Sequence, residues 1–167
     1  LRADGVRFSS TSDSEIIAAL LSIEEERPIE NAVAAVMPRL VGAYSTVVMT
    51  KDAVVAFRDP AGLRPLALGM LDGSYCVASE SCAFDIIGAK LIREVLPGEM
   101  VSLTEGGLEM KQVSKADRPA QCVFEHIYFS RPDTRLEGRV LQEVRGRMGE
   151  LLAAEAPVDA DLVISVP

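Results

Sequence analysis

Apolar and polar positions change rhythm several times along this chain, and each change marks an element. From residue 12 the apolar residues fall at helical spacing: Ile16, Leu20 and Ile23 share one face, with Ile17 and Leu21 beside them. Ser12 and Glu15 have the spacing of a capping box, in which hydroxyl and carboxylate satisfy amides of the first turn. A helix is therefore predicted from there to about residue 25, after a short strand over 6–8. Pro28 suits the first turn of a second helix over 29–37, and Pro38 suits its end.

The middle of the chain switches to short apolar runs bounded by Gly, Pro and Asp. Strands are predicted over 43–50, 54–57, 66–70, 75–79, 90–95, 100–104 and 108–113. Lys51-Asp52, Asp72-Gly73, Pro97-Gly98 and Gly106-Gly107 are the turns between them, with Asp72-Gly73 a hairpin signal. A short helix over 80–89 interrupts the strands, capped by Ser79 or Ser81 and ended by Gly88. Between 54–57 and 66–68 lies a polar corner, 58–65. Pro60 and Pro65 fix φ there, and Gly62 can supply a positive one. The corner, which holds Arg58, Asp59 and Arg64, reads as a rigid connection between paired strands, tied internally by Arg–Asp hydrogen bonds. Beyond a polar stretch at 116–120, residues 122–129 read as a strand and 130–134 as a second pinned corner. Leu141, Val144, Met148, Leu151 and Leu152 then form the apolar face of a helix over 140–154, and 162–166 reads as a final strand. Helices grouped around antiparallel strands make the class α+β with layered packing.

Composition narrows the function classes. A chain of 167 residues with 49% apolar residues can bury a real core. A net charge of −8 argues against a general nucleic-acid binder, which needs clustered Lys and Arg to meet phosphates. No apolar run is long enough to span a bilayer, and no signal-peptide pattern opens the chain. Three scattered cysteines, Cys76, Cys82 and Cys122, suit a reducing, cytoplasmic setting better than a disulfide framework. There is no internal repeat. The first residue, Leu1, and the closing run at 162–166 suggest a piece of a longer protein, trimmed at both ends.

Residue types alone reveal no complete active site. The one histidine, His126, has no partner for a metal pair, and no Cys-x-x-Cys occurs. No Ser–His–acid set has a supporting spacing. Gly106-Gly107 lacks the strand–loop–helix context of a phosphate cradle. Asp13 stands in the first turn of the opening helix, where an acid simply favours the helix dipole. Cys76 and Cys82 suit small core positions.

Six short words together resemble the glutamine phosphoribosylpyrophosphate amidotransferases. They are Thr-Ser-Asp-Ser-Glu (11–15), Gly-Ala-Tyr-Ser (42–45), Phe-Arg-Asp-Pro-Ala-Gly-Leu-Arg-Pro-Leu (57–66), Val-Ala-Ser-Glu-Ser (77–81), Leu-Pro-Gly-Glu (96–99) and Phe-Glu-His-Ile-Tyr-Phe-Ser-Arg-Pro-Asp (124–133). The last is the most specific; class II glutaminase domains share the shorter ones.

The resemblance implies an N-terminal-nucleophile hydrolase fold, a layered αββα arrangement with two mainly antiparallel sheets, here truncated. Residues 1–130 would be the glutaminase domain without its nucleophile strand, and 131–167 the beginning of an α/β phosphoribosyltransferase domain. In that family an N-terminal Cys thiolate attacks the glutamine amide, its own α-amine acting as base. The ammonia then displaces pyrophosphate from phosphoribosylpyrophosphate, giving phosphoribosylamine for purine synthesis. The nucleophile is absent from this chain, so no residue here is assigned as catalytic and the piece alone is expected to be inactive. The resemblance gives Asp13 contact with the substrate's α-amino group, which a carboxylate pairs with well. It puts Tyr128 and Arg131 where glutaminase and transferase are coupled. It makes Cys122 one ligand of the [4Fe–4S] cluster that some members bind, and it places a Mg²⁺ site in the transferase domain. His126 stands where Tyr is usual. Glutamine and phosphoribosylpyrophosphate are the implied partners, in a homo-oligomer, with no nucleic acid and no membrane. The alternatives are another class II amidotransferase, of the glucosamine 6-phosphate synthase type, and a non-catalytic homologue.

Overall fold

The computed structural model of the protein describes residues 1–3, 5–24 and 27–164. In chain order its elements are α1 (Asp13–Ile23), α2 (Ile29–Val36), β1 (Ser45–Met49), β2 (Ala53–Arg58), β3 (Ala67–Leu71), β4 (Ser74–Ala78), α3 (Cys82–Ile87), β5 (Lys90–Glu94), β6 (Glu99–Thr104), β7 (Gly107–Gln112), β8 (Arg135–Leu136), β9 (Arg139–Val140) and α4 (Leu141–Glu155). A short 3₁₀ turn, Met37–Arg39, follows α2, and a π-helical segment, Glu125–Phe129, lies between β7 and β8.

The strands form two antiparallel sheets, in the orders β1-β2-β6-β7 and β4-β3-β5, plus the small β8-β9 ribbon. Three apolar clusters stack them into layers. Val33 and Met37 pack on Ala53, Val55, Phe57 and Met100, so α1 and α2 cover one face of the first sheet. Ala56 and Val101 on its other face meet Leu66, Leu68 and Val95, which joins the two sheets. Ala67, Phe84 and Ala89 cluster on the far side, under α3. Because both faces of β2 are covered, nearly all its residues are buried, which is why it reads as a continuous apolar run. Gly69 of β3 lets α3 approach: a Cβ there would sit 2.9 Å from the Phe84 ring. The expected layered α+β arrangement of two antiparallel sheets is what the chain forms.

Several local expectations are corrected. The strands flanking the 58–65 corner are not paired with each other; β2 belongs to the first sheet and β3 to the second. The corner is a crossover between layers. Residues 122–129 form no strand: 123–124 are helical and Glu125–Phe129 π-helical. Their aromatic, β-type composition is overridden by the tertiary setting, in which Arg145 of α4 donates to the carbonyls of His126 (2.7 Å) and Ser130 (2.7 Å). Residues 6–8 form no strand. Ser12 caps α1 by position but makes no side-chain cap bond. Glu15 reaches further back, accepting from the amides and hydroxyls of Ser9 and Ser10 at 2.6–2.8 Å. These four donors hold its carboxyl down at about 2, led by the Ser9 amide. Residues 162–164 form no strand, and the rest of that expected strand, like the expected end of the first helix at 25, lies outside the described residues.

Candidate active-site cleft

A cleft of about 360 Å³ opens where α1, the start of β1, the 58–65 corner and the π-helical segment converge. Asp13 and Ser14 contribute from the first turn of α1, Tyr44 and Thr46 from the approach to β1 and β1 itself, and Arg64 from the corner. Glu80, Glu125 and Phe129 complete the wall. The lining is mainly polar, with three carboxylates and one guanidinium.

The corner is rigid for a reason different from the one its sequence suggests. Arg58 and Asp59 are 3% and 0% exposed, and each is tied to backbone. The Arg58 guanidinium donates to the carbonyls of Arg64 (2.7 Å), Val95 (2.7 Å) and Gly62 (3.0 Å). The Asp59 carboxylate accepts from the amides of Ala61 (3.0 Å), Gly62 (2.8 Å) and Leu63 (3.1 Å). Gly62 itself has φ +69°, and a Cβ there would lie 2.6 Å from Pro97. This frame presents Arg64 to the cleft. The Arg64 side chain, 48% exposed, lies over the Phe129 ring at 4.9 Å and places Nε 3.0 Å from Glu125 Oε1. That approach is a charge contact without hydrogen-bond alignment. Glu125 is 2% exposed, and its other oxygen accepts from the Ser130 hydroxyl at 2.5 Å.

Tyr44 forms another part of the wall. Burial, reinforced by the Asp59 charge, pushes its phenol up to about 12. The phenol therefore stays protonated near neutral pH and donates towards the Met37 carbonyl at 3.4 Å.

Of the four residues singled out from sequence, Asp13 lies in the cleft. Its carboxylate is exposed and, among the described residues, accepts a single long contact, 3.4 Å, from the Ser14 hydroxyl. Tyr128 projects from the π-helical segment, 75% exposed, edge-on to Phe129. The Arg131 side chain pairs with Asp133 at 2.8 Å, and both are exposed. Tyr128, Arg131 and Cys122 do not line the cleft, but the Arg131 amide donates to Glu80 in its wall. Cys122 lies alongside the corner, its amide donating to the Leu63 carbonyl. Among the described residues no three His, Cys, Asp or Glu are placed to hold a metal together. A [4Fe–4S] cluster takes four thiolates. The other two cysteines are built into the core on the α3 side, Cys76 in β4 and Cys82, 4% exposed, in α3.

Sequence reasoning took Arg64 for a structural part of the corner and passed over Glu80 and Glu125. All three stand inside the words that carried the family resemblance, at 57–66, 77–81 and 124–133. Their common destination in one cleft is a tertiary fact that no local pattern holds.

The sequence profile of the glutamine amidotransferase domain family matches residues 1–85. Over 169 residues the chain is 43% identical to the amidophosphoribosyltransferase of Archaeoglobus fulgidus, covering all of this chain and 37% of that protein. It is 44% identical over 172 residues to a chloroplastic amidophosphoribosyltransferase of Arabidopsis thaliana, again covering all of this chain but 31% of the relative. The solved glutamine phosphoribosylpyrophosphate amidotransferase from Bacillus subtilis, complexed with ADP and GMP, superimposes with a TM-score of 0.91 at 38% identity, covering 96% of this chain and 35% of that one. The chain thus spans about a third of the length of these relatives. With that match lying on the layered core and the cleft it builds, the chain belongs to the glutamine amidotransferase domain family, in the form found in amidophosphoribosyltransferases.

Proposed function

We propose that this chain is the glutamine-handling part of an enzyme that moves the amide nitrogen of glutamine onto phosphoribosylpyrophosphate, releasing glutamate and pyrophosphate and forming phosphoribosylamine. The observation that carries this reading is Asp13, an exposed carboxylate at the lip of a polar cleft between layered elements. It is suited to the α-ammonium of an amino acid. None of the three cysteines lines the cleft, so amide hydrolysis draws its thiolate from outside these 167 residues.

The domain boundary is proposed at Arg131, with 131–167 opening the phosphoribosyltransferase unit. An apolar surface supports this. Phe124, Ile127 and Tyr128 of the π-helical region and Met148, Leu151 and Leu152 of α4 are 40–75% exposed, as suits surfaces that a following domain covers. Tyr128 and Arg131 would then sit at the junction. Cys122 would give one thiolate to a [4Fe–4S] cluster, and the Mg²⁺ site belongs to the transferase unit. The active form in this reading is a cytoplasmic homo-oligomer. No helix among the described residues is long and apolar enough to cross a membrane.

The test is chemical. The whole protein carrying this chain, given amide-¹⁵N glutamine, phosphoribosylpyrophosphate and Mg²⁺, should yield glutamate and pyrophosphate in equal amounts, with the ¹⁵N on the ribosyl product. Glutamate without pyrophosphate would point to a different acceptor and overturn the reading.

A further inference from the structure

We propose that Glu80 is a positioning residue whose shared carboxylate links occupancy of the cleft to the 130–134 corner; this rests on the glutamine reading above. Glu80 lies in the cleft wall between β4 and α3. One of its oxygens, Oε2, accepts from the Arg131 amide at 2.8 Å and the Thr134 hydroxyl at 2.6 Å, with a long contact of 3.9 Å from the Cys82 thiol. The neighbouring Ser81 hydroxyl accepts from the Arg135 amide at 2.7 Å. The start of the corner is held from the same cleft: Ser130 donates to Glu125, which faces Arg64. The corner therefore takes its shape from two carboxylates, Glu80, 51 residues before Arg131, and Glu125, five residues before Ser130, and both line the cleft.

Oε1 of Glu80 makes no hydrogen bond to the described residues. A carboxylate that lines the cleft, with one oxygen committed to the corner and the other without a hydrogen bond among the described residues, is a shared group. A cationic or N–H-bearing ligand group that approaches Oε1 competes for charge with the corner donors on Oε2, or turns the carboxylate and carries them with it. Either response gives the ligand a different affinity for the two corner positions, which is what coupling between sites requires. Thr134 is 1% exposed, so its hydroxyl has no ready solvent substitute when Glu80 moves. The exposed Arg131–Asp133 pair cannot hold the corner against that change, since such pairs contribute little.

The readout is the ratio of glutamine-driven to ammonia-driven pyrophosphate release in the whole protein. Ammonia supplied from solution bypasses the cleft, so the ratio isolates coupling from folding. Glu80→Ala should lower the ratio by about tenfold or more, within the usual range of site-to-site coupling. Glu80→Gln, which keeps an acceptor but loses the charge, should fall between Ala and wild type. Thr134→Val, which removes a corner donor without altering the cleft wall, should also lower the ratio, and it keeps the test open should Glu80→Ala fail to fold. A ratio within about twofold of wild type in the folded variants, or parallel loss of both activities, overturns the proposal. A wild-type protein that uses ammonia but not glutamine removes the glutamine reading instead, and the coupling with it.

Discussion

Two pinned corners in this molecule look alike in sequence and are held in opposite ways. The 58–65 corner is self-contained: Arg58 and Asp59 are buried, and nearly every polar atom they carry meets a backbone group of the corner or the strand beside it. The 130–134 corner has its own charged pair, Arg131–Asp133, but that pair lies in solvent. Its fixed points come from Glu80, Ser81 and Glu125. Charges that satisfy buried backbone groups specify one geometry, because breaking them strands donors and acceptors without water. A corner held by side chains from a cleft can change when the cleft does. The first is scaffold, and the second is placed to respond.

The sharpest way to break this contrast is Asp59→Ala. It leaves three amides of the first corner without their acceptor, and a loss of roughly 3 kcal/mol or more is expected. A urea midpoint measurement reads it, and a change under about 1 kcal/mol would mean the corner is not self-supporting. Gly62→Ala comes next. It combines a positive φ with a clash against Pro97, so about 2 kcal/mol should be lost.

A pH scan sharpens the comparison at its alkaline end. The Tyr44 phenol, beside the first corner, ionises in the fold near 12 against an ordinary value of 10, chiefly because it is buried. Its contribution is complete below pH 10 and is lost as pH rises from there towards 12, since the unfolded chain ionises first. Thermal melts should show that alkaline decline, and Tyr44→Phe should flatten it. The smallest effect belongs to Arg131→Ala. Its guanidinium is pushed further up by the Asp133 hydrogen bond, yet the pair is solvent-exposed, so no measurable shift in the urea midpoint is expected. A clear destabilisation would show that the second corner also carries its own support.

Much of the fold was legible because local rules and tertiary structure agree in it. The Asp72-Gly73 hairpin and the helix ending at Gly88 follow from turn chemistry. The α1 period was legible but its face was not: Leu20 is buried as expected, whereas Ile16 and Ile23 are exposed, and Ile17 and Leu21 pack on the core instead. Where the reading failed, a distant group decided. β2 and β3 are neighbours in sequence, and only the two-layer core separates them into different sheets. Residues 122–129 carry strand-forming side chains, but Arg145 from α4 anchors the end of a π-helical turn there. At the cleft, Asp13 was legible through the family resemblance. Arg64, Glu80 and Glu125 were not, since their roles depend on partners as far apart as Glu80 and Thr134.

The central claim is that Asp13 meets the α-ammonium of glutamine. The most direct measurement is the glutamine KM of the whole protein with Asp13→Asn, set against its KM for ammonia. Losing a charge-assisted contact should raise the glutamine KM roughly tenfold to a hundredfold relative to that for ammonia. Equal KM values for glutamine in wild type and Asp13→Asn would contradict the account.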